Sequence, residues 1–196
     1  MRYMPLFFDV SGRDVLIIGG GRVALRRARQ FSDAGARLTV VAPDILSEFS
    51  NLPATTLLCR GATTEDLQAE FIFAIIASSN ATVNAAIAAA CREKKILFNR
   101  CDSFSDGDFI GGSLVTKGDI ICSTIAGGVP AVSKYLQSRI DVLIRPELVE
   151  LTAALAEIRP QIKASGLPET AKAELLGRWV TDEILDRIAS EGIEKI

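Results

Sequence analysis

Three observations predict an α/β fold built on a Rossmann-like doubly wound parallel sheet. Short β-branched runs alternate with Ala-rich helical stretches through the first hundred residues. The glycine triplet Gly19-Gly20-Gly21 separates the first such run from the first helix. After Asp102 the alternation stops and gives way to a β-hairpin and then to helices.

The elements follow from local pattern. Val15 to Ile18 reads as a buried strand, and Val23 to Phe31 as a helix closed at Ala34-Gly35-Ala36. Leu38 to Ala42 reads as a second strand, which makes residues 13 to 44 one βαβ unit. Thr56 to Cys59 is a third strand, Thr64 to Ala69 a short helix, and Phe71 to Ala77 a fourth strand. Ala81 to Glu93 is the next helix, and Ile96 to Asn99 the last strand of the series. Phe109 to Val115 and Ile120 to Ile125 are expected to pair around Lys117-Gly118-Asp119. A helix spans Pro130 to Ile144, and Pro146 starts another at its first turn. Pro160 and Gly166-Leu167-Pro168 punctuate the remainder.

Composition narrows the function classes. At 196 residues and 48% apolar content, the chain buries one full core and leaves roughly fifty to seventy residues for an extension. A net charge of −2 without a long Lys/Arg run gives no nucleic-acid footprint. Cys59, Cys91, Cys101 and Cys122 form no CxxC pair, and there is no histidine to complete a zinc set, so no protein metal site is expected. The cysteines read as reduced, mostly buried thiols of a cytoplasmic protein. The opening MRYMPLFFDVSGRD is too short in apolar residues for a signal or a membrane span and reads as an ordered lead-in strand.

Gly19, Gly21 and Ala24 satisfy G-x-G-x-x-A between strand and helix. Glycines there let backbone N–H groups approach a pyrophosphate at the helix N-terminus. The second strand ends in Ala42-Pro43-Asp44, and Asp44 is the candidate for the adenosine ribose, favouring NAD over NADP. Its alternative role is an N-cap on the next helix, and the adjacent Arg22 complicates the preference. Ser78 and Ser79 end the fourth strand at the same carboxyl edge, where they either bind the cofactor or only cap a helix. Asn99, Arg100 and Asp102 end the fifth strand there too. An oxidation that removes a hydride can also release a proton, which needs an acceptor, and in a chain without histidine Asp and Glu lead the candidates; Asp102 is one, with a capping or turn role at Asp102-Ser103 as its alternative. Asp106 and Asp108 follow in a loop where turn and solvent roles are expected. The segment from Ser123 and Thr124 through Gly127 and Gly128 offers hydroxyls and N–H groups to a substrate carboxylate.

The whole chain resembles the precorrin-2 dehydrogenase and sirohydrochlorin ferrochelatase family, including the amino-terminal part of siroheme synthases. The resemblance rests on Met4-Pro5-Leu6-Phe7, VLIIGGGRVALRRARQFSDAGARLTVVAPD, FAIIASSNATVNAAI, the NRCD of residues 99 to 102, and FIGGSLVTKGDIICSTIAGGVPAVSKYLQSRI. It implies an NAD-dependent oxidoreductase that converts precorrin-2 to sirohydrochlorin in siroheme biosynthesis, and leaves open a second, ferrochelatase activity. It further implies NAD held around Arg22, Val23, Pro43 and Asp44, Asp102 as general base, and a homodimer. Ala126 departs from relatives that carry serine there. The expected division is an NAD-binding domain over residues 1–113, a dimerisation region over 114–146 and a helical subdomain over 147–196. A tetrapyrrole with eight carboxylates needs cations, and Arg22, Arg100, Lys117, Lys134 and Arg139 are the candidates. The alternative is a non-catalytic NAD-binding redox-sensing module, which leaves Asp102 and the glycine-rich segment unexplained.

Overall fold

The computed structural model describes residues 3–196. The first five strands form one parallel sheet: β1 (Asp14–Ile18), β2 (Arg37–Ala42), β3 (Thr55–Cys59), β4 (Phe71–Ile76) and β5 (Leu97–Arg100). Their order is β3-β2-β1-β4-β5. The order reverses between β1 and β4, and ligands of open α/β sheets enter the crevice outside the strands' carboxyl ends at such a reversal.

Alternate residues of the central strands serve opposite faces of the sheet. Val15, Ile17, Val40 and Ile75 pack against Ala24, Leu25 and Ala28 of α1 (Arg22–Asp33). Leu16, Ile18, Ala74 and Ile76 pack against Ile87, Ala88 and Cys91 of α2 (Ala81–Lys94). Both faces are therefore apolar, which is why the strands read as continuous hydrophobic runs.

Several sequence expectations change here. Residues 3 to 10 carry no strand; they lie along the first core, where Val10 is buried and the Phe8 ring meets Phe73 edge-on at 5.3 Å. Met1 and Arg2 of the expected lead-in strand lie outside the described residues. The short helix after β3 shrinks to a 3-10 turn, Thr64–Asp66. Of the four cysteines, all free thiols, only Cys91 is fully buried, and burial pushes its thiol up to about 12. Cys59 is exposed, so the thiols are less buried than composition implied.

The chain gathers into two compact units, one ending at Gly111 and the other beginning at Gly112. In the second unit, β6 (Ser113–Lys117) and β7 (Ile120–Thr124) pair antiparallel around Gly118. The hairpin starts later than its sequence pattern indicates because Phe109 is captured by the first core, 4.9 Å from the Phe73 ring. Helix α3 (Pro130–Leu143) lies on the hairpin, with the Gln137 amide donating to the Leu114 carbonyl at 2.8 Å. Helices α4 (Pro146–Ala164), α5 (Glu169–Gly177) and α6 (Asp182–Glu191) follow, with Leu151, Leu185 and Ile188 at their centre. Pro160 lies inside α4 and does not end it. Among the described residues, no helix is long and apolar enough to cross a membrane.

Candidate active site

The glycine turn is fixed by what surrounds it. Gly19 has φ +123°, and a Cβ there would lie 2.5 Å from the Ala77 carbonyl oxygen at the end of β4. A Cβ on Gly20 would collide with the Asp44 carbonyl oxygen, because the loop after β2 closes onto the turn and the Leu46 N–H donates to the Gly20 carbonyl at 3.0 Å. Gly20 is thus a close-packed glycine that the G-x-G-x-x-A pattern leaves unassigned. Gly21 differs from both: it is the N-cap of α1, no side chain caps the helix, and a Cβ there meets nothing within 4 Å. Open space above an uncapped helix N-terminus is what an anionic pyrophosphate requires. The residues present therefore fit a dinucleotide. Arg22, Val23, Pro43 and Asp44 are all exposed around this turn. Asp44 caps no helix, since the next helical turn, Ser47–Asn51, has Leu46 at its N-cap.

The other expected residues of the first unit form a connected polar chain at the ends of β4 and β5. Asn80, which sequence reasoning passed over, caps α2 by accepting from the Thr82 and Val83 N–H groups at 3.0 and 3.1 Å. The expected capping role of Ser78 and Ser79 belongs to this neighbour. The Ser78 hydroxyl instead donates to Asn84 Oδ1 at 2.6 Å. Asn84, also unforeseen, is 1% exposed. Its Nδ2 donates to the Ser78 carbonyl and to Asp102 Oδ2, both at 3.0 Å.

Asp102 is held from a second side by Arg100. Arg100 Nε donates to Asp102 Oδ1 at 3.0 Å and an Arg100 terminal nitrogen donates to Asp102 Oδ2 at 2.7 Å, a bidentate pair. The Arg100 guanidinium holds the Asp102 carboxyl down at about 2; burial opposes this, and the Asn84 amide adds to the lowering. The other Arg100 terminal nitrogen reaches Asp106 at 2.6 Å, and Asp106 also pairs with Arg92. Asp106 is therefore part of the site's charge chain and not a solvent loop residue. Asp108 is structural: its carboxylate accepts from the Phe98 N–H at 3.1 Å.

Three expectations for substrate binding are altered by existing bonds. Arg100 commits its guanidinium to Asp102 and Asp106 and is not a free cation. Lys117 donates to the Asp141 and Ile144 carbonyls, at 2.6 and 3.1 Å. Asn99 is buried, and its amide donates to the Phe109 carbonyl at 3.0 Å, which fixes the loop after β5. Arg22, Lys134 and Arg139 remain exposed. In the second unit, Ser123 is exposed and Thr124 donates to the Ser133 carbonyl at 3.2 Å. Gly127 and Gly128, with φ of 53° and 79°, turn the chain into α3, whose N-terminus has no side-chain cap. Among the described residues, no three His, Cys, Asp or Glu side chains group as a metal site.

A family model described as "Putative NAD(P)-binding" matches residues 6–113, more than half of the chain. The chain belongs to this NAD(P)-binding family. The siroheme synthase of Ectopseudomonas mendocina (strain ymp) is 36% identical over 165 residues, which is 83% of the chain and 36% of that protein. The siroheme synthase of Stutzerimonas stutzeri (strain A1501) is 35% identical over 168 residues, 84% of the chain and 36% of that protein. The chain spans just over a third of the length of these curated relatives. A solved structure of "SirC, precorrin-2 dehydrogenase" matches with a TM-score of 0.78 and 25% identity, covering 98% of both chains. This member of the NAD(P)-binding family is thus similar to the proteins its sequence motifs resemble.

Proposed function

We propose that the protein is an NAD-dependent dehydrogenase that oxidises precorrin-2 to sirohydrochlorin in siroheme biosynthesis, acting in the cytoplasm as a homodimer. The observation that carries this reading is the end-to-end similarity to a precorrin-2 dehydrogenase, covering 98% of each chain. The cofactor is assigned to Gly19, Gly21, Arg22, Val23, Pro43, Asp44, Ser78 and Ser79. Bound there, NAD supplies the hydride acceptor.

The chain's own residues govern the proton. Asp102 is ionised throughout the neutral range, because Arg100 and Asn84 bond its charged form. A fixed anion at a strand's carboxyl end favours positive charge developing on a pyrrole ring as its hydride leaves. The proton then shed is acidic enough for a weakly basic carboxylate to accept. With its side chain 31% exposed, Asp102 can return that proton to water.

The test is Asp102→Asn, near-isosteric and unable to accept the proton. Its kcat should fall by about 10²- to 10⁴-fold with NAD affinity within about threefold of wild type. Normal turnover, or inactivity arising only from lost NAD binding, would reject the assignment. Asp44 should make kcat/KM far higher with NAD than with NADP, and comparable values would reject its ribose role.

A further inference from the structure

We propose that Asn84 is a positioning residue of the reaction, acting with Ser78 to fix the orientation and charge of the Asp102 carboxylate. The inference rests on the reading of Asp102 as proton acceptor. A buried asparagine amide has two ends that differ only in polarity, and the wrong end would present an oxygen to a carboxylate. The Ser78 backbone carbonyl removes that ambiguity, because it can only accept. It takes one Nδ2 proton at 3.0 Å, which turns the other toward Asp102 Oδ2 at 3.0 Å. The Ser78 hydroxyl then donates to the opposite end, Asn84 Oδ1, at 2.6 Å, so both amide protons and the oxygen have partners.

The arrangement spans two elements. Asn84 lies in the first turns of α2 and Ser78 at the end of β4, and Asp102 follows β5. A structural asparagine would need only its backbone-directed bond. The bond to a partly exposed carboxylate 18 residues away is the part that points to chemistry. The charged and titratable groups facing this carboxylate are Arg100 directly and the neighbouring Cys101 thiol, then Asp106 through Arg100 and Arg92 through Asp106. Arg100 holds both Asp102 oxygens but is shared with Asp106, and Asn84 supplies an uncharged second anchor from another element.

The experiment compares wild type, Asn84→Asp, Ser78→Ala and Asp102→Asn in three readouts. These are the ¹³C NMR titration of the Asp102 carboxyl, NAD affinity by calorimetry, and the pH dependence of kcat/KM. Asn84→Asp sets two carboxylates against each other, so their shared proton should be held to about pH 4 to 6, with a matching acid limb in kcat/KM that wild type lacks. Ser78→Ala removes only the hydroxyl's bond to Asn84 Oδ1, which polarises the amide toward Asp102, and should move the Asp102 midpoint upward by a smaller amount, with a matching shift in the kcat/KM profile. It also keeps the test intact if the carboxylate introduced by Asn84→Asp, buried as it would be, prevents folding. An unmoved midpoint in folded variants, or a moved midpoint with an unchanged pH profile, overturns the proposal while inactivity of Asp102→Asn leaves the base reading standing. Full activity in Asp102→Asn overturns the base reading, and this inference with it.

Discussion

A methyl group on Gly20 would collide with the backbone of the loop after β2, whereas at Gly21 it would meet only open space. The two glycines therefore fail differently. Gly20→Ala must displace that loop and should destabilise the fold by about 1–3 kcal/mol in a denaturant melt. Gly21→Asp places a carboxylate at an N-cap, where aspartate is at least as favourable as glycine, so thermal stability should hold or rise slightly. The same carboxylate fills and repels the pyrophosphate position, and NAD affinity measured by calorimetry should be lost. Retained affinity would reject the glycine turn as cofactor site. At this scale the site was partly legible. Gly19 and Gly21 stand out by motif, and Asp102 by its place at a strand end. Arg100 and Asp102, two apart at the end of an extended segment, share a side of the chain, a signal for their pairing that went unused. Asn84 gave no such signal, because a polar residue within a helix reads as solvent-facing until the fold brings Asp102 to it. Asp106 reaches Arg100 only through the return of a loop that no periodicity describes.

The parallel sheet owes its third strand to a very short crossover. Between β3 and β4 the chain makes only the Thr64–Asp66 turn, and Asp66 pins it: its buried carboxylate accepts from the Thr63 N–H at 2.8 Å and from Arg60 at 3.0 Å. The Arg60 hydrogen bond lowers the Asp66 carboxyl below its ordinary value. A carboxyl whose folded pKa is depressed stabilises above its unfolded value, near 3.9, and loses that contribution as pH falls through the folded value. Asp66→Asn should therefore lower Tm at pH 7, by about 3 °C, with the gap to wild type closing as the acid limb is entered. An equal gap at pH 7 and at pH 2.5 would show that shape, not charge, holds the turn. The strands and the first two helices were legible because the sheet is buried on both faces and its apolar runs are continuous. The start of β6 was not, since Phe109 extends a strand-like run yet serves the first core. Pro160 misled in the opposite direction. It removes one amide from α4, but the carbonyl it orphans belongs to exposed Ala156, where water can satisfy it.

Over the whole chain, apolar surface is distributed unevenly. The first unit closes its core on both sides of a five-stranded sheet, while the second offers a two-stranded sheet, which is marginal on its own. Of the fourteen residues of α3 only Ser133 is buried. Val132, Tyr135, Leu136, Val142 and Leu143 are all exposed, and their spacing of three, four and seven places them on one stripe of the helix. On β7, Ile121 is exposed, and Ile125 just beyond the strand is exposed as well. Such a surface is costly in water and is the expected footprint of a self-complementary contact about a two-fold axis. The proposed homodimer should therefore sediment as a dimer at micromolar concentration. Tyr135→Glu combined with Val142→Glu, both on that stripe and 63% and 74% exposed in the single chain, should leave the first unit folded and shift the protein to monomer. A charge introduced at a free, solvated surface changes stability by no more than about 0.5 kcal/mol, so a variant that stays dimeric with unchanged Tm would place the contact elsewhere. A monomeric wild type at micromolar concentration would remove the dimer altogether.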